Sequence, residues 1–184
     1  MKVDLKSYNN RWFVAELGGS PLKRGLWYLT NELVFSNGLF PFSRLKVLLL
    51  RLFGANVGQS VVIKPRVRIK YPWKLSIGDN SWVGEDVWID NLTKVDIGSN
   101  VCLSQGAFLL TGNHDFSKTT FDLMVKNIVL EDGVWIGAQA IVCPGIVCRT
   151  HSVLTTRSVA SRDLEPYKVH SGNPAIPVKE RIIS

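Results

Sequence analysis

The sequence predicts an all-β solenoid, a parallel β-helix of about five triangular coils with a mostly helical N-terminal extension and a short C-terminal tail. Three observations predict it. An aliphatic residue recurs every six positions from Val57 onward. Turn-forming residues stand at a fixed offset from it. The phase breaks at 111–127 and then resumes.

Val57, Ile63 and Ile69 form the first set. Ile77, Val83 and Ile89 follow after a slip of two residues, and Ile97, Leu103 and Leu109 after another slip of two. Beyond the interruption the ladder runs through Leu130, Ile136, Val142, Cys148 and Leu154. A period of six fits neither an α-helix nor an alternating strand. Glycine follows the aliphatic residue at Gly58, Gly78, Gly84, Gly98 and Gly137. Three places after it stand Asn80, Asp86, Asn100, Gly106, Gly133 and Gly145, types that reach positive φ at low cost and so supply a turn. Four places after it comes a small or β-branched residue, as at Val61, Ser81, Ala107 and Ser158. Each unit therefore reads as short strand, sharp turn, short strand. Three units close a triangular coil, and parallel pairing stacks the coils roughly 4.8 Å apart. One coil cannot bury its apolar face alone, but a stack can. Coils beginning at Val57, Ile77, Ile97, Leu130 and Cys148 place the solenoid at 57–165, between an extension (1–56) and a tail (166–184). Out-of-phase insertions in a solenoid are surface loops, where function concentrates.

A chain of 184 residues holds one domain core. Its 46% hydrophobic and 20% charged content is that of a globular protein and excludes a disordered one. A net charge of +7 suits nucleic acid, an anionic membrane surface or a phosphate-rich small molecule. The basic residues are scattered without a groove-reading motif, which argues against nucleic acid. Cys102, Cys143 and Cys148 are odd in number and lack framework spacing. With no secretory signal read at the N-terminus, they imply free thiols and a cytoplasmic protein, with Cys143 and Cys148 as packing residues. The most apolar stretches, Leu26 to Phe42 and Leu45 to Phe53, are broken by Asn31, Glu32 and Arg51 and fall short of the ~20 residues a membrane span needs.

The N-terminal extension is rich in Trp, Phe and Leu with basic residues interleaved. It reads as helical from about Leu22 to Phe53, with breaks near Gly38 and Pro41. It either caps the open end of the solenoid and packs on a neighbouring subunit, or rests on a membrane. The second reading requires Trp27, Phe35, Phe40 and Leu48–Leu50 to share a basic-edged outer face. At the other end, Ser171-Gly172-Asn173-Pro174-Ala175 is a turn signal.

Several stretches taken together carry a resemblance: Asp90-Asn91-Leu92, Ile97-Gly98-Ser99-Asn100-Val101, Thr111-Gly112-Asn113-His114-Asp115, Gly133-Val134-Trp135-Ile136-Gly137-Ala138 and Gly172-Asn173-Pro174-Ala175. In this collinear order the chain resembles the hexapeptide-repeat acyltransferases, nearest to the maltose, galactoside and colanic-acid-type O-acetyltransferases. The likeness spans roughly two thirds of the chain. It implies a left-handed helix, which periodicity cannot distinguish from the usual right-handed crossover. It also implies a homotrimer with its active sites in clefts between neighbouring prisms, acetyl-CoA as acyl donor and no metal.

Acetyl transfer from a thioester to a hydroxyl needs a base for the alcohol proton, donors for the oxyanion and an aligned acceptor. The leaving thiol, with a pKa of about 8.5, needs little acid assistance. A histidine suits the base. Only His114 lies in the out-of-phase loop, where it aligns with the family's catalytic His, while His151 and His170 read as structural or surface residues. The resemblance implies the Ala138 N–H as oxyanion donor. It sets Trp135 beside the catalytic His, against the pantetheine arm or the acceptor, or else in a subunit interface. Asp90 and Asn91 align with the acceptor region, and a carboxylate beside an amide can grip a sugar diol; Asn91 equally suits a turn. Ser161, Arg162, Lys179 and Arg181 are candidates for the CoA phosphates, Arg162 foremost because the family often carries Lys there. The tail residues among them read equally as solvated charges. The acceptor expected is a sugar unit in exopolysaccharide or lipopolysaccharide biosynthesis, with a free sugar or xenobiotic as alternative. Two rival classes share the fold. A zinc enzyme needs three histidines, and the loop His114-Asp115-Phe116-Ser117-Lys118-Thr119 lacks the companion. A trimeric scaffold needs no site at all.

Overall fold

The hexad ladder becomes the core. Ile63, Ile89, Leu109, Ile136, Val142, Cys148 and Leu154 are all fully buried, and the other ladder positions nearly so. A computed structural model describes residues 2–184. Three parallel sheets form the sides of a prism. The first stacks Asn56–Val57, Leu75–Ile77, Val95–Ile97, Ile128–Leu130 and Val147–Cys148 in that order. The second stacks Val62–Ile63, Trp82–Val83, Cys102–Leu103, Trp135–Ile136, Val153–Leu154 and Lys168–Gly172. The third stacks Arg68–Ile69, Trp88–Asp90, Phe108–Leu110, Ile141–Val142 and Val159–Ala160. Five coils are complete, as expected. A sixth begins with the Cys148–Leu164 bridge and the pairing of Leu154 with His170. The segment 166–184 is therefore no free tail: Lys168–Gly172 pairs antiparallel with Ala175–Glu180 and extends the second sheet.

The corners explain the repeat. Every first and second corner turns on a residue at positive φ three places after the ladder residue. Asn80, Asp86, Asn100, Gly106 and Gly133 do this as expected, and so do Ser60, Arg66, Gln139, His151 and Arg157. The glycines after the ladder residue answer a different need. A Cβ on Gly78 would lie 2.5 Å from the carbonyl carbon of Gly98 in the next coil, so the close stacking excludes a side chain there. The third corner, between the third sheet and the next strand of the first, holds both two-residue slips and the whole 111–127 insertion.

The extension forms three helices: α1 (Arg11–Glu16), α2 (Pro21–Thr30), which runs on as a π turn over Asn31–Phe35, and α3 (Ser43–Leu52). The break at 36–42 falls where Gly38 and Pro41 predict it. Ser20 caps α2 by accepting from the Lys23 N–H, and Pro21 occupies its first turn. Together α2 and α3 close the open edge of the first coil, which would otherwise leave a row of unpaired backbone groups. Asn31 Oδ1 accepts from Ile69 N–H at 3.1 Å and Trp27 Nε1 donates to Ile69 O at 2.9 Å. Ser43 Oγ accepts from Ile63 N–H at 2.8 Å, and Arg51 Nε donates to Val57 O at 3.0 Å. The buried Lys46 ammonium donates to Lys64 O at 2.8 Å, and burial lowers its pKa to about 8. Trp27, Phe35 and Leu50 therefore face the prism. The shared outer face that the membrane reading requires of Trp27, Phe35, Phe40 and Leu48–Leu50 does not form, because the edge capping draws the first two inside. Cys148 is buried in the ladder and Cys143 packs against the core, and all three thiols are free. Among the described residues no helix is long and apolar enough to cross a membrane.

Candidate active site

The third corner builds the site by stacking successive coils. Tyr71-Pro72-Trp73 lies at the bottom, Asp90-Asn91-Leu92 above it, and Thr111 above that, where the chain leaves the prism. Buried Thr111 donates its hydroxyl to Asp90 O at 2.7 Å. From there Gly112–His114 pairs antiparallel with Leu123–Val125, so the expected loop is a β-hairpin. Leu123 and Val125 pack with Tyr71 around buried Phe13, Leu17 and Leu92, anchoring the hairpin on α1 and the corner. The N-terminal segment also straps it, with Asp4 N–H donating to Thr119 O at 2.9 Å.

This anchoring fixes the His114 ring. Its Nδ1 lies 2.8 Å from Phe121 O. A carbonyl oxygen only accepts, so Nδ1 carries a proton and the lone pair of the neutral ring lies on Nε2. The Phe121 ring stacks on the imidazole at 4.4 Å and 7°, and Tyr8 approaches its other surroundings at 5.6 Å. Phe121 does both with φ at +49°, a conformation that costs a non-glycine residue about 1 kcal/mol or more and here holds the imidazole in place. Sequence reasoning missed Phe121, and no signal marks it. Beside the imidazole, Asp115 accepts from Ser117 and lies near Lys118, which together hold its carboxyl below the usual range.

Below the hairpin, the Lys70 ammonium sits 3.0 Å from Asp90 Oδ1, as an ion pair rather than an aligned hydrogen bond. Asn91 is fully buried. Its Oδ1 accepts from the Lys70 and Tyr71 N–H groups at 3.1 and 3.0 Å, and its Nδ2 donates to Tyr71 O at 2.6 Å. Of its two expected roles, acceptor ligand and turn residue, these bonds are those of a turn residue, since the amide is engaged by the turn below. On the same side of the prism a cleft of about 500 Å³ opens between α2 and the third sheet, lined by Arg24, Tyr28, Arg68, Lys70, Tyr71 and Trp88.

The remaining expected residues lie elsewhere. Trp135 stands on the outer face of the second sheet, half exposed, donating Nε1 to Ser104 Oγ at 2.9 Å. That sheet is the side opposite the third corner, so one chain does not bring Trp135 to His114. Ala138 sits on the second corner, and among the described residues its N–H meets no acceptor. A second cleft of about 450 Å³ runs along this face past Trp135, Gly137, Thr155, Thr156 and Lys179. Ser161 and Arg162 are exposed on the third corner, two coils beyond the hairpin, or roughly 10 Å along the prism. Arg181 Nη1 donates to Gly133 O at 2.8 Å and His151 O at 3.1 Å, which ties this segment to the first corner. The other histidines have structural contacts. His151 stacks on Tyr167 at 4.8 Å, and buried His170 accepts at Nε2 from the Glu165 N–H.

The chain is thus a stacked-coil prism that carries an oriented imidazole on one edge, and a free N–H and an aromatic face on the opposite side. No family model matches the chain. It is 37% identical over 165 residues to the putative colanic acid biosynthesis acetyltransferase WcaF of Escherichia coli K12, spanning 90% of this chain and 91% of that one. A solved hexapeptide-repeat acetyltransferase of Vibrio cholerae matches with a TM-score of 0.80 at 20% identity, over 97% of this chain and 98% of that one. A galactoside acetyltransferase solved in complex with coenzyme A matches with a TM-score of 0.77 at 23% identity, over 88% of this chain and 82% of that one. The chain belongs to the hexapeptide-repeat acetyltransferase family, and its fold is that family's left-handed parallel β-helix.

Proposed function

We propose that the protein moves an acetyl group from acetyl-CoA to a sugar hydroxyl during exopolysaccharide or lipopolysaccharide synthesis, in the cytoplasm, at sites completed between subunits of a homotrimer. The observation that carries this reading is the His114 ring, whose Nδ1–H is spent on Phe121 O so that Nε2 is left as a base. In the reaction His114 Nε2 takes the proton of the sugar hydroxyl as its oxygen attacks the thioester carbonyl. The tetrahedral oxyanion receives the Ala138 N–H of the adjacent subunit. Collapse breaks the C–S bond, and the imidazolium returns its proton to the departing thiolate. No acyl-enzyme forms.

The opposite placement of the hairpin and the Trp135 face supports assembly of the site across a subunit boundary. The cleft of aromatic rings and charged groups beside Asp90 supports a carbohydrate acceptor, since aromatic faces pack on sugar rings while Asp90 and Lys70 bond hydroxyls. Trp135 lines the cleft offered to the pantetheine arm or acceptor. Ser161, Arg162 and Lys179 are exposed and serve the CoA phosphates, the first two from one edge and Lys179 from the other. The relationship to a colanic acid biosynthesis protein supports a polysaccharide unit over a free sugar.

The test follows release of CoA thiol with lipid-linked and free sugars as acceptors. The wild type turns over with a lipid-linked sugar, and His114→Ala lowers kcat by about a hundredfold while keeping the thermal stabilisation by acetyl-CoA. Near-normal turnover in that variant overturns the role of His114. Absence of any stabilisation by acetyl-CoA in the wild type favours the scaffold instead.

A further inference from the structure

The helical cap has a second apolar face. Leu22, Leu26, Leu29 and Leu33 recur at helical spacing along α2 and its π turn, 72, 49, 55 and 68% exposed. At 100° per residue they fall within roughly 60° of arc, on the far side of the helix from Trp27 and Asn31, which hold the prism. On α3 the same relation recurs. Leu45, Leu48 and Leu52 are 41, 60 and 75% exposed, opposite buried Lys46, Val47 and Leu50. Leu39 and Phe42, in the connection between the helices, are 91 and 63% exposed. A helix that caps a core has a polar outer face as its ordinary solution. Here both capping helices turn leucine outward, and because both lie across the open end of the solenoid, both leucine faces look away from it.

The charge of this end is equally one-sided. Residues 17–78 contain ten Lys and Arg and a single acidic residue, Glu32. Arg66 and Lys70 are paired with carboxylates of the second coil. Lys23 and Arg44 meet no carboxylate among the described residues, whereas Arg24 and Arg51 turn to the backbone carbonyls of Gly19, Val57 and Gly58. Leucine rows edged by uncompensated cations match the boundary between headgroups and acyl chains in an anionic bilayer. A second copy is a poorer match, because a self-complementary contact would set two cationic ends face to face. Subunits standing side by side would cover the sides of the prism and leave its end free.

We propose that this end of the protein docks on an anionic membrane surface, the leucines of α2 and α3 entering the interface and Lys23 and Arg44, which flank them, meeting lipid phosphates. The assignment is independent of the acetyl-transfer reading. Its test is flotation of the full chain with phosphatidylglycerol–phosphatidylcholine vesicles, compared with phosphatidylcholine alone. The wild type is expected to float with the anionic vesicles and at least tenfold less with the neutral ones, and to be released by high salt. The double variant Leu29→Glu, Leu48→Glu, at exposed positions, is expected to stay at the bottom of the gradient with an unchanged Tm. Failure of the wild type to float, or equal flotation of the variant, overturns the proposal. So does a species of doubled mass in sedimentation that the variant abolishes, which would make the face a contact between copies.

Discussion

Phe121→Gly changes two energies in opposite directions and leaves a third exposed. With φ at +49°, an L-residue here carries about 1–2 kcal/mol of backbone strain that glycine does not. Glycine gives back about 0.5–1 kcal/mol through the larger entropy of its unfolded chain. It also deletes the ring that stacks on His114 at 4.4 Å, a pair worth about 0.5–1.5 kcal/mol. These nearly cancel, so global stability should move by no more than about 1 kcal/mol and Tm by about 4 °C or less. Catalysis has no such compensation. The imidazole loses its stacking partner, and the carbonyl that holds Nδ1–H gains freedom, so about 1.4 kcal/mol of positioning disappears and kcat falls about tenfold. Thermal unfolding and thiol-release kinetics on the same preparation read both quantities, with KM for acetyl-CoA expected to stay constant. An unchanged kcat at unchanged Tm would refute the view that Phe121 orients the base.

Asn91→Ala distinguishes a turn lock from an acceptor ligand. Losing the three hydrogen bonds to Lys70 and Tyr71 in a fully buried site should cost about 3–5 kcal/mol and lower Tm by about 10 °C, whereas an acceptor role would raise KM for the sugar at constant Tm. Acid should weaken the fold through His170. Burial holds its pKa below the ordinary 6.5, so the native state refuses a proton that the unfolded chain accepts. Stability is then full above about pH 6.5 and falls below it by up to about 1.4 kcal/mol per pH unit. Melting curves between pH 7.5 and 5.5 should show a steeper loss of Tm in the wild type than in His170→Gln.

The prism was legible because burial of one residue in six is a strong requirement and aliphatic side chains meet it visibly. The corners were legible only where the residue type matched the backbone. Asn80 and Gly106 announce positive φ, while Arg66, Gln139 and Arg157 are driven there by coil closure against their own preference. The hairpin passed as a loop because Gly112–His114 and Leu123–Val125 are three residues each and do not alternate. His114 was visible from where the phase broke. Phe121 was not, since a backbone carbonyl and a stacked ring leave no trace in residue order. Asn91 and Arg181 were open to two readings for a shared reason: residue order does not reveal which backbone groups engage a polar side chain near a site. Trp27 and Phe35 looked suited to an outer face until the unpaired edge of the first coil claimed them.

The central claim, that His114 of one subunit works with the Ala138 N–H of its neighbour, is tested most directly by complementation. Ala138→Pro removes that N–H, and the equivalent corner of the first coil already accommodates Pro65. His114→Ala and Ala138→Pro should each be nearly inactive as homotrimers near 62 kDa, three times the 20.6 kDa chain. Unfolded together in equal amounts and reassembled, they should recover about a quarter of wild-type sites, the share of head-to-tail interfaces that combine an intact His114 with an intact Ala138. Mixed trimers that remain inactive would contradict a site shared between subunits.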